Sequence, residues 1–175
     1  MKEQIERRLQ QLIGLQLTAT TRAANMECLK FGHLLETNKS GKQIQIGEFA
    51  LHLQCPWRFT NEAKILIGSL DLYEPVDENA EYDEHFDWDR PNENLRDFKL
   101  LELITTQDLT TVSVVADSFG GLEISFINSI RLSIFPAYSK VDQYSEHWRL
   151  LTNKATNKNH FVVGGFGVLQ DLNGL

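Results

Sequence analysis

Apolar and polar residues alternate along much of this chain, and they recur at helical spacing only near its start. From Phe49 to Phe59, the residues Phe49, Leu51, Leu53, Cys55, Trp57 and Phe59 fall on one parity, with Ala50, His52, Gln54, Pro56 and Arg58 on the other. Period two predicts a strand with one face buried. Ile44 and Ile46 alternate in the opposite phase, so a bulge or sharp bend is expected at Gly47-Glu48. Pro56 has no N–H to give a ladder, which places it at an edge or an end. Further strands are expected around Met26, Cys28 and Phe31 and from Ile65 to Tyr73. Val112 to Val115, Leu122 to Phe126 and Ile130 to Ile134 form a meander, turning at Asp117–Gly121 and Asn128-Ser129. His147 to Leu151 and His160 to Val163 read as terminal strands joined by a polar loop. Leu95 to Gln107 fits either period and is read as a strand.

One segment has helical spacing. Ile5, Leu9, Leu12 and Ile13 recur between Glu and Arg, which predicts an amphipathic helix over residues 2–13, with Gly14 as its C-cap. The expected class is therefore α+β: an N-terminal helix, then mainly antiparallel β-meanders forming one curved sheet or two packed sheets. Regular helix–strand alternation is missing, which argues against Rossmann and barrel architectures. With 175 residues, one domain (1–175) is expected, carrying an acidic insertion at 74–94.

Charge changes the picture most. Residues 74–93 hold nine carboxylates against the single cation Arg90, a net −8, while the whole chain is −7. The acidic balance argues against nucleic acid, whose phosphates need a basic surface, and permits a basic protein partner. Within the insertion, Tyr82, Phe86 and Trp88 interleave with Asp83, Glu84, Asp87 and Asp89. Aromatic anchors in a charged rim are residue types that dominate protein interfaces. Tyr82 to Asp89 is thus the expected partner-binding segment. The alternative is a solvated loop whose aromatics pack back on their own sheet.

Signatures of chemistry are sparse. Gly164-Gly165-Phe166-Gly167 has too little chain after it for a βαβ unit, and there is no Walker A sequence, Gly-x-Ser-x-Gly elbow, Cys-x-x-Cys or His-Glu-x-x-His. No cofactor or metal is expected. If Asp87 opened a calcium loop, Asn92 would stand in place of the turn glycine and Phe98 in place of the bidentate glutamate. A second functional reading is a small-molecule or hydrolytic site assembled from separated residues: His52, Arg58, Asp71 and His147. Cys28 and Cys55 read as buried thiols, and no stretch approaches the ~20 apolar residues of a membrane span. A cytoplasmic location is expected.

Several segments resemble a family of short uncharacterised bacterial proteins. They are Gly47 to Arg58, Gly68 to Pro75, and Leu132 to Pro136 followed by Glu146 to Arg149 and His160 to Val163. Some members of similar families look like immunity proteins encoded beside polymorphic toxins. The likeness covers most of the chain from about Gly14. It implies a bacterial cytosolic single domain, and it carries no catalytic residue over to this sequence.

Overall fold

The computed structural model describes residues 1–77, 79–81, 83–91, 93–139, 145–154 and 160–171. The fold is α+β, with antiparallel strands throughout. Helix α1 (Lys2–Leu9) runs on into a 3₁₀ turn, Gln10–Leu12. It buries Ile5, Leu9 and Leu12, while Ile13 is exposed, and Gly14 turns the chain with φ +83°. Only glycine adopts that region without strain.

Strands β1 (Leu17–Ala23), β2 (Met26–Phe31), β3 (Leu34–Thr37), β4 (Gln43–Ile46), β5 (Phe49–Leu53), β6 (Trp57–Thr60) and β7 (Ile65–Gly68) follow. Helix α2 (Leu95–Thr106) separates them from β8 (Thr111–Ala116), β9 (Leu122–Phe126), β10 (Arg131–Ile134), β11 (Glu146–Thr152), β12 (His160–Gly164) and β13 (Gly167–Asp171). One sheet has the order β1-β2-β5-β11-β12-β13, a second β7-β6-β10-β9-β8, and β3-β4 form a separate hairpin. A single core cluster draws on both large sheets and both helices.

The long alternating run is divided between the two sheets. β5 belongs to the first and β6 to the second, with Gln54, Cys55 and Pro56 between them. Its inward parity survives the crossing: Phe49, Leu51, Leu53, Cys55, Trp57 and Phe59 are all buried. Pro56 sits at the seam. Gln54 N–H donates to the His147 carbonyl (2.9 Å), and the Pro56 carbonyl accepts from Phe135 N–H (3.0 Å). At Gly47-Glu48, where the phase changes, the chain passes from the β3–β4 hairpin into the first sheet.

Two expected strands are otherwise. Residues 95–106 are helical, and Ile65 to Tyr73 splits into β7 and a 3₁₀ turn, Ser69–Tyr73. In the first case Asn94 is the N-cap, its side-chain oxygen accepting the Asp97 N–H at 2.9 Å. Arg96, Leu100 and Leu103 then share a buried stripe at helical spacing, while Phe98 and Leu101, which blur the pattern, face outward. In the second, the Asp71 carboxylate accepts the Gly68 N–H (3.0 Å) and bends the chain out of the ladder. β1 and β13 add edges to the first sheet; β1 is rich in small and polar residues and buries only Leu17, so its sequence carries no alternation. Of the expected polar loops, residues 140–144 and 155–159 lie outside the described residues.

The cap of α2 also ties down the chain before it, since Asn94 Nδ2 donates to the Trp88 carbonyl (3.0 Å) and to Asp97 (2.9 Å). Asn94→Ala should therefore cost about 1–2 kcal/mol of stability, read from urea unfolding. An unchanged midpoint would discount the cap.

Candidate functional site

The acidic segment leaves and returns to the fold at one point. Leu95 N–H donates to the Glu74 carbonyl (2.8 Å), and Pro75 and Asn94 form an antiparallel bridge. Inside the segment, aspartates hold their own backbone. Asp77, Asp83 and Asp87 each accept an N–H from the residue two positions on, at 3.0, 2.8 and 3.1 Å. Such side-chain turns let a chain with few apolar residues keep a shape, and they set anionic groups against backbone N–H dipoles.

The predicted partner-binding residues divide by environment. Asp83, Glu84, Asp87 and Asp89 are exposed, whereas Phe86 and Trp88 are half-buried. Tyr82 lies outside the described residues. Trp88 meets the edge of Tyr73, with ring centroids 5.4 Å apart. A cavity of about 630 Å³ opens beside it, lined in part by Tyr73, Asp77, Glu81, Asp83, Phe86 and Leu95. Its lining joins aromatic and apolar side chains with exposed carboxylates. The Trp88–Tyr73 contact sets one aromatic of the segment against the 3₁₀ turn that precedes it.

The return limb of the loop is bound to the first sheet by Arg22 on β1. Its guanidinium donates to Asp97 (2.9 Å), to Asp89 Oδ1 (2.5 Å), and to the carbonyls of Ala24, Trp88 and Asp89. Burial pulls the Arg22 pKa down, but its hydrogen bonds to the Asp97 and Asp89 carboxylates outweigh it and the net shift is upward.

Behind Arg22 lies a second charge pair. Glu27 on β2 and Arg96 on α2 are each 1 % exposed, with Arg96 Nη2 3.3 Å from Glu27 Oε2. The Thr20 hydroxyl donates to Glu27 Oε1, and Arg96 Nη1 donates to the carbonyls of Asn25 and Ser69 (3.3 Å each). The Arg96 guanidinium lies 5.7 Å from the Trp57 ring centroid. Glu27 Oε2, Arg96 Nε and Arg96 Nη2 make no hydrogen bond. Burial pushes the Glu27 carboxyl up and the Arg96 guanidinium down. A cleft of about 430 Å³ bounded by Thr20, Arg22, Glu27, Asp89, Asp97 and Leu101 opens in front of this network.

Sequence patterning missed Arg22, Glu27 and Arg96. Two signals were available once the elements are known. Glu27 shares the inward parity of Leu29 and Phe31, and Arg96 shares the stripe of Leu100 and Leu103. A charge on a buried stripe needs a partner, and each of these has the other.

The four residues of the second functional reading occupy separate places. His52 lies on β5, opposite Cys28 and Arg149, and burial lowers its pKa. Arg58 on β6 is exposed, with its guanidinium 5.5 Å from the Phe135 ring centroid. Asp71 serves the Gly68 turn. His147 is buried on β11 against the Tyr138 ring (5.7 Å), and burial lowers its pKa. No hydrogen bond or ion pair joins two of these four among the described residues. Nor do the described residues gather three or more His, Cys, Asp or Glu in a metal-holding group. No helix among them is long and apolar enough to cross a membrane.

No protein-family model matches this chain, and no curated protein or solved structure matches it.

Two outcomes follow from the buried pair. Arg96→Met leaves Glu27 without its counter-charge and should cost about 3 kcal/mol, while Glu27→Leu/Arg96→Met should recover part of that loss. A double variant less stable than both singles would refute the pairing. The second concerns pH. A carboxyl raised by folding binds its proton more tightly in the native state, so its contribution favours the fold at low pH. That contribution falls as pH rises from about 4.3, the unfolded carboxyl range, through the raised native value. The stability of wild type minus that of Glu27→Gln should decline across this window in urea titrations. A flat difference would count against a raised Glu27.

Proposed function

We propose that this protein is a non-enzymatic binding module that captures a basic protein partner through its acidic loop, in the manner of the bacterial immunity-like proteins its sequence resembles. The carrying observation is the cavity lined by aromatics and carboxylates at Tyr73, Asp77, Asp83 and Phe86. A lysine or arginine side chain finds there apolar lining for its stem, and rings and carboxylates for its cation. The exposed Asp83, Glu84 and Asp87 speed encounter with a basic surface, and the half-buried aromatics supply anchoring. Two sheets packed about one core provide the rigid frame from which the loop projects. The setting we assign is the bacterial cytosol, in keeping with the free thiols of Cys28 and Cys55. Burial pushes the Cys55 thiol up to about 12, so it behaves as a core side chain and not as a nucleophile.

Charge can be removed here without removing the turns. In Asp83→Asn/Glu84→Gln/Asp87→Asn, the amide oxygens still accept the His85 and Asp89 N–H groups. Against a library of Lys/Arg-rich peptides, wild type should select a sequence subset with salt-sensitive affinity, and the triple variant should bind it about tenfold more weakly. Equal binding by the triple variant, or no selection by wild type, would reject the loop as a docking surface.

A further inference from the structure

We propose that Arg22 is the latch that holds the acidic loop in its docking shape, an inference that rests on that loop being the binding surface. A guanidinium carries five N–H donors in a rigid fork. At Arg22 all five are used. Nε serves the Asp97 carboxylate, Nη1 serves Asp89 Oδ1 and the Ala24 carbonyl, and Nη2 serves the carbonyls of Trp88 and Asp89. Three of these acceptors belong to the loop, one to helix α2 and one to the β1–β2 turn. One side chain therefore links three parts of the fold that are distant in sequence.

The loop needs such a tie. It carries a net −8, and its exposed carboxylates repel one another. Its base is closed by the Glu74–Leu95 hydrogen bond, but that contact fixes only where the segment begins and ends. Asn94 holds the limb between at the Trp88 carbonyl, and Arg22 adds the Trp88 and Asp89 carbonyls and the Asp89 carboxylate. Its side chain is 11 % exposed and Asp97 15 %, so salt screens their pair less than the outer Asp89 contact, where the carboxylate is 57 % exposed. The latch thus has a firm half toward the helix and a looser half toward the loop. With the loose half open, the limb is held at Trp88 by Asn94 alone among the described residues, and the Trp88–Tyr73 contact beside the cavity loosens. A partner then binds only the docked fraction of molecules, and its apparent affinity falls by that fraction.

Trp88 gives a direct readout. Trp57 and Trp148 are 2 % and 0 % exposed, so acrylamide quenching of tryptophan fluorescence reports mainly on Trp88. The test compares wild type, Arg22→Met, Arg22→Lys and Asp89→Asn in the full chain. Quenching, amide exchange over residues 83–91, and affinity for a Lys/Arg-rich peptide are measured for each. Arg22→Met should raise quenching, speed exchange in the loop about tenfold relative to the sheets, and weaken the peptide about tenfold. Arg22→Lys keeps the charge but not the fork and should fall between. Asp89→Asn removes the charge of one loop acceptor and leaves the Trp88 and Asp89 carbonyls on Arg22, so its change should be smaller and of the same sign; Arg22→Lys decides the matter should Arg22→Met fail to fold. Unchanged quenching and exchange in these variants would overturn the latch. Faster exchange in a protein whose wild type selects no peptide would sustain the latch and reject the binding surface.

Discussion

Arg96 carries a positive charge into the middle of the fold, and the surrounding elements are arranged around that charge. Its guanidinium has the Trp57 ring of the second sheet on one side and the Glu27 carboxylate of the first on another. It also reaches the Asn25 turn and the Ser69 carbonyl that opens the 3₁₀ turn before the loop. Taking such charges out of water is costly, and their attraction repays the cost only with good geometry. Here several donor and acceptor atoms remain unbonded, so the pair is not an optimised stabiliser. Its effect is on arrangement: Glu27 and Arg96 each leave a buried charge exposed to no counter-ion unless β2 and α2 meet in this register.

The neighbouring residue extends the same constraint outward. Asp97 is part of the N-terminal cap of α2 and also receives Arg22. Arg22 in turn reaches the end of the acidic loop. From the Trp57 ring to Asp89, adjacent charged groups lead from a dry core to open solvent. The surface segment with the largest charge in the chain is thus tied, through Arg22 and Asp97, to a helix whose neighbouring residue Arg96 is a buried charge.

Parts of this were legible in the sequence, and the rest was hidden for identifiable reasons. Phe49 to Phe59 shows its buried face without ambiguity because alternation continues through the corner at Pro56. The stop in the ladder was visible in Pro56 itself, but the change of sheet was not, since side-chain parity is unaffected by which backbone a strand pairs with. Helix α2 was obscured by Phe98 and Leu101, apolar residues on its outer face, although Asn94 and Asp97 mark its start. β1 was obscured because an edge strand rich in Thr and Ala has little burial to encode. The acidic segment was recognisable as a surface from charge alone. Its anchor was not, because Arg22 lies more than sixty positions before Asp89, and only the fold brings them together.

The corner at Pro56 also bears on how the chain assembles. A single inward stripe, unbroken from Phe49 to Phe59, supplies apolar surface to two sheets at once. β5 finds a partner in β11, where Phe49 lies opposite Thr152, while β6 pairs with β10. Neither sheet can complete its share of the core without residues that arrive 71 to 103 positions later. Loop closure must come before those contacts form, which favours slow, concerted folding over stepwise growth from the N-terminus. A ribosome-bound chain ending before β11 would hold β6 against β10 but leave β5 with β2 as its single neighbour, so the Phe49 to Leu53 part of the stripe is the last to be enclosed.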